Sequence, residues 1–143
     1  MAGAYLEVSD AAGAAFFRRG HTGPIVMLNL LRFRAEADYA GSPELAGDSA
    51  ITGRAAFDAY VAHTLPFLRA SGGDLVLLAD GGPWLIGPPG EHWDMAMLVR
   101  QAGIEAFMAW NSDPAYLAGL GHRTAALADS RLLPLVEYSV DKD

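Results

Sequence analysis

His122 and Arg123 stand side by side near the C-terminal end of a chain of 143 residues. They join an imidazole that titrates close to neutral pH to a permanent cation. That pairing suits acid–base work. His122 would take up and return a proton, while Arg123, with Arg131 further on, would hold an anionic group or a developing enolate. The plainer alternative has both side chains hydrogen-bonding the end of their helix or Asp129. Asn29 is the second catalytic candidate, an amide between apolar neighbours. It either orients a substrate carbonyl or hydroxyl, or is satisfied by nearby backbone, since a buried amide without partners costs about 1–3 kcal/mol.

Four further groups are candidates for substrate binding. Arg32 follows Asn29 by three positions and would point to the opposite face of a regular strand. It would bind a carboxylate at the strand end or pair with an acid such as Asp94. Tyr60 and His63, also three apart, share one face of a helix, although a surface histidine has the same spacing. Trp93 beside Asp94, at the start of a strand, fits a pocket wall. Trp84, Trp110, Tyr116 and the methionines Met27, Met95, Met97 and Met108 suit core packing as readily as a pocket.

Several chemistries find no support. The chain has no cysteine, so disulfides, thiolate nucleophiles and cysteine-ligated metals drop out. His21, His63, His92 and His122 are scattered without an i,i+4 pair, and no metal is expected. The glycines form no phosphate loop or dinucleotide fingerprint, no Gly-x-Ser-x-Gly elbow is present, and no cofactor is expected. A net charge of −7 with a single lysine, Lys142, opposes nucleic-acid binding. No apolar run approaches the roughly 20 residues that span a bilayer. No secretory signal is seen over Met1–Ser9, and a cytoplasmic location is expected.

The elements that must position these groups follow from pattern. Apolar residues make up 52% and charged residues 19%, a globular composition of single-domain length. Ser9 caps a short helix ending at Gly20, docked by Phe16 and Phe17; residues 1–23 are read as an extension and 24–143 as the domain. Pro24–Phe33 is apolar on both alternating faces, with Ile25, Met27 and Leu31 opposite Val26, Leu28 and Leu30, as in a central strand. Ala35–Ile51 reads as a long surface loop. Thr52 caps a helix through about Arg69, kinked or restarted at Pro66. Asp74–Ala79 is a strand, Asp80–Pro83 a turn and Trp84–Ile86 a brief hairpin arm. Trp93–Arg100 is the next strand and Ile104–Trp110 a helix. A further helix capped by Asp113 runs to about Asp129, before a last strand over Arg131–Val140.

This order predicts an α+β, ferredoxin-like βαββαβ sandwich with helices on one face of the sheet. Its other face would carry Leu, Met and Val, an area too apolar to leave in water, and would be covered by a second copy in a symmetric homodimer.

The segments Met27–Phe33, Ile86–Pro88, Trp93–Asp94 with Leu98–Arg100, Glu105–Phe107, Asp113–Tyr116 and His122–Leu133 stand in the order and spacing of domain-of-unknown-function family 1330. Over about Pro24–Leu135 the chain resembles that family, which is similar to the dimeric α/β-barrel superfamily. The resemblance implies a dimeric α/β barrel whose relatives include cofactor-free monooxygenases, lactone isomerases and dehydratases. Those relatives hold small apolar or aromatic molecules between sheet and helices or inside the barrel. Two functions stay open. One is a cofactor-free enzyme, of isomerase or monooxygenase type, on a small apolar or aromatic carbonyl compound. The other is a non-catalytic ligand-binding or structural homodimer.

Overall fold

The computed structural model describes residues 3–140. After α1 (Asp10–Arg18), the chain runs β1 (Ile25–Phe33), α2 (Gly53–Ala70), β2 (Asp74–Pro83), β3 (His92–Gln101), three short helices α3 (Ile104–Asn111), α4 (Pro114–Leu117) and α5 (Leu120–Ala126), and β4 (Leu127–Leu135). The strands lie in the order β2-β3-β1-β4 and every pairing is antiparallel. With α2 joining β1 to β2 and α3–α5 joining β3 to β4, this is the ferredoxin-like βαββαβ sandwich.

The apolar alternation of β1 sorts the two faces. Ile25, Met27, Asn29 and Leu31 are buried, paired with Gln101, Val99, Met97 and Met95 of β3. Over this face α2 lays Ala56, Phe57, Tyr60 and Leu68, which form one core with Met27, Leu31, Met95, Met97 and Val99. The other face is open. Its register sets Leu133, Leu28, Leu98 and Leu77 side by side across all four strands. Leu135, Val26 and Arg100 form the row on one side of these leucines, and Arg131, Leu30, Ala96 and Ala79 the row on the other. Leu77 and Leu133 are about half exposed, at 46% and 54%. The bare face expected to carry Leu, Met and Val thus carries no strand methionine. Met27, Met95 and Met97 all alternate onto the covered side.

Three boundaries differ from expectation. The segment Asp80–Pro83, expected as a turn, continues β2, with Gly82 opposite Trp93 and Pro83 opposite His92. β2 is an edge strand, which tolerates proline, and a Cβ at Gly81 would strike the Trp93 carbonyl. Trp84–Ile86 consequently lies in the loop that joins β2 to β3 rather than in an arm of the hairpin. The helix expected from Asp113 to Asp129 is split into α4 and α5 and ends at Ala126, so β4 starts at Leu127 and stops at Leu135. α2 continues past Pro66 to Ala70, so of the two outcomes expected there the helix does not restart.

The long loop between β1 and α2 contains one 3-10 turn, Pro43–Leu45. It is strapped to its surroundings: Asp38 N–H donates to Ala125 O at 2.9 Å and Ala37 N–H to Ile51 O at 2.9 Å. Gly53 is the junction beneath it. Its N–H donates to Arg34 O at 3.1 Å, while Arg34 N–H donates to Ala126 O at 2.8 Å. A Cβ at Gly53 would collide with both carbonyls.

Candidate functional site

His122 sits on α5, half-buried, and is met by a residue from the loop. Tyr39 Oη lies 2.7 Å from His122 Nδ1, with the two rings edge to face at 5.6 Å. Burial lowers the His122 pKa, and the His63 imidazole of α2 lowers it further. Burial also raises the Tyr39 phenol. Both partners are therefore neutral at pH 7.

His63 reaches this cluster because of a glycine. Its ring packs against Gly119, where any Cβ would strike the imidazole. Its Nε2 lies 2.9 Å from Ala115 O and 3.2 Å from Tyr116 O, so it donates to these carbonyls and the ring is fixed in place. Gly121 does the same for the loop, lying against Ser42 and Leu45. Deeper in, the Tyr60 and Tyr116 hydroxyls bond each other at 2.8 Å. Burial, reinforced by Tyr60, drives the Tyr116 phenol far above its ordinary range. The sequence placed Tyr60 and His63 on one helix face; Tyr60 is in fact committed to the core while His63 lies at the rim.

The other candidates lie apart from this cluster. Asn29 is on the covered face, and its Nδ2 donates to Met27 O and Met97 O, both at 3.4 Å. Arg32 donates through Nε (3.1 Å) and Nη2 (2.6 Å) to His92 O, and its Nη1 lies 3.6 Å from Asp129. Its guanidinium stacks over the Trp93 ring at 4.4 Å, and Arg131 stacks over the same ring at 5.0 Å. Trp93 is buried under these cations, and Asp94 accepts from Phe33 N–H at 2.8 Å. Arg123 turns away from His122: its Nη1 donates to Leu6 O at 2.6 Å and its Nη2 to Ser130 Oγ at 3.4 Å. Asp129, expected on the helix end, is in β4. There it accepts from the Tyr5 N–H and from Arg131, each at 2.8 Å. Its burial opposes ionisation, but these donors and the Ser130 N–H hold its pKa below the usual value.

So the structure brings together His122 and His63, adds Tyr39, and separates both from Asn29, Arg32 and Arg123. Tyr39 was missed in the sequence. Its signal was a lone aromatic within an Ala-, Gly-, Ser- and acid-rich loop. Two surface hollows can be outlined among the described residues. One, about 520 Å³, is bordered by Arg32, Pro88–Glu91 and His92. The other, about 290 Å³, is bordered by Pro24, Val26, Arg100, Val136 and Glu137. Neither includes His122. Among the described residues no cluster of three or more metal-ligating side chains occurs, and no helix is long and apolar enough to cross a membrane.

Strand order, register and helix placement define an α+β protein of the ferredoxin-like class. Among solved structures, methylated RPA0582 is similar: 34% identical, with a TM-score of 0.83 over 99% of this chain and 100% of that one. RPA0582, a protein of unknown function from Rhodopseudomonas palustris, is 33% identical in a second structure, with a TM-score of 0.80 over 96% and 99%. The chain belongs to the family of RPA0582. No family model matches it, family 1330 included, and no curated protein matches it either.

Proposed function

We propose that the chain is a homodimer that binds a small apolar or aromatic carbonyl compound and moves a proton on it at His122. The observation that carries the proton-transfer reading is the 2.7 Å contact between Tyr39 Oη and His122 Nδ1, with burial and His63 keeping the imidazole neutral. A neutral imidazole has one donor and one acceptor nitrogen. If Nδ1–H donates to Tyr39 Oη, Nε2 keeps its lone pair and serves as the base. If Tyr39 donates instead, Nε2 carries the hydrogen and serves as the donor. The pair stays uncharged in both tautomers, as suits proton abstraction next to a carbonyl. Asn29, Arg32 and Arg123 act in this reading as supports, since their donors are already engaged with the protein itself.

Dimerisation is supported by the open sheet face, where a row of leucines from all four strands lies uncovered. The segments that resemble domain-of-unknown-function family 1330 support a place near that family, a finer reading than the RPA0582 family.

One observation favours a second reading, a dimer that binds or scaffolds without catalysis: His122 borders neither of the two hollows outlined above. Proton NMR of the imidazoles, with His122→Gln for assignment, tests the first reading. We expect His122 to titrate below 6.5 and to shift on addition of a lactone, quinone or phenol from a panel of such compounds. An His122 signal untouched by every compound, while another residue responds to one of them, would leave the binder without catalysis.

A further inference from the structure

We infer that two copies of the chain stack their open sheet faces and that Arg100 of each forms an ion pair with the partner's Glu137 at the rim. This rests on the homodimer reading above and adds the contact that orients it.

The charges bordering the face are unevenly satisfied. At one end, Asp129 lies 2.8 Å from Arg131 and 3.6 Å from Arg32, and Asp94 lies 3.4 Å from His92. At the other end, the acid opposite Arg100 in the β2–β3 register is Asp74, whose carboxylate is taken by Arg69 at 3.1 Å. Arg100 is thus left beside Leu98 and Val26 with no ion pair among the described residues. Glu137, just past β4, likewise has none. Both are exposed, and both border the same hollow with Val26 and Val136.

An exposed charge costs little while the leucine row faces water. Once that row is covered, a charge at its margin loses water and needs an opposite partner. A two-fold axis supplies it reciprocally: if Arg100 reaches the partner's Glu137, Glu137 reaches the partner's Arg100. A hollow with one charge of each sign is self-complementary. It matches a second copy better than an anionic lipid surface, which the net charge of −7 also disfavours.

The test is sedimentation equilibrium of the full chain as wild type, Arg100→Glu, Glu137→Arg and the double exchange, with circular dichroism confirming that each is folded. Each single reversal removes two pairs per dimer and creates two like-charge contacts, so the dimer dissociation constant should rise roughly tenfold. The double exchange should return it to near the wild-type value. A wild-type dimer indifferent to both single reversals overturns the Arg100–Glu137 pairing and leaves the dimer standing. A monomeric wild type overturns the homodimer reading itself.

Discussion

At the scale of residues, the proposed chemistry concentrates on one imidazole. His122 carries a lowered pKa from burial and from His63, which has a consequence for stability. The unfolded chain takes up this proton near 6.5, whereas the folded chain resists it to lower pH. Stability from this group is therefore full above that value. It falls as the pH drops through it, and levels off once the folded imidazole is protonated too. Urea unfolding between pH 7.5 and 5 should show this decline, and His122→Gln should flatten it. Tyr39→Phe leaves His122 Nδ1 without its partner and should cost about 0.5–1.5 kcal/mol, read as a melting temperature lower by a few degrees. His122 was legible as a titratable group in the right helix. Its partners were not, because Tyr39 lies 83 positions away and only the fold of the loop brings it near.

At the scale of elements, glycines decide how closely the pieces approach. Gly53 lets the start of α2, the end of β1 and the end of α5 meet through two backbone hydrogen bonds. Gly53→Ala should destabilise by about 1–3 kcal/mol or more through overpacking against fixed carbonyls, measurable by chemical denaturation. Gly119→Ala would push the His63 ring away and should change the His122 titration without touching either histidine. The alternation of β1 and β3 could be read directly, because a buried strand repeats at period two whatever its neighbours. The ends of β2 and β4 could not. Asp80-Gly81-Gly82-Pro83 has turn chemistry, yet at a sheet edge nothing penalises the proline, and Gly81 is needed where Trp93 comes close. At β4, Val136, Tyr138 and Val140 continue the strand-like alternation, but β1 begins at Ile25 and gives the ladder no further partner.

At the scale of the whole molecule, the sheet presents two faces of opposite fate. The helices and the loop cover one, and that side holds the Tyr39–His122–His63 cluster. The other is open and apolar. The sequence showed that such a face must exist, since the apolar periodicity fills both sides of β1. Its make-up depended on register, which placed leucines there and methionines beneath the helices. The N-terminal segment adds a brace: Tyr5 N–H binds Asp129, its carbonyl accepts from Ser130 Oγ, and Arg131 stacks over its ring at 4.7 Å. Asp129→Asn should loosen that brace, seen as faster amide exchange over residues 5–18 with β1 and β3 protection retained.

In the proposed function a ligand meets His122, and that contact can be probed without knowing the reaction. It is tested most directly by a thermal-shift screen of the wild type, Tyr39→Phe and His122→Ala against small phenols, quinones, lactones and aromatic or short-chain acids. A compound at 100 times its dissociation constant adds about 2.7 kcal/mol to folded stability, a shift of several degrees for a domain of this size. The expected result is a wild-type hit that is weakened in Tyr39→Phe and lost in His122→Ala while that variant stays folded. A hit of equal size in all three proteins would contradict it.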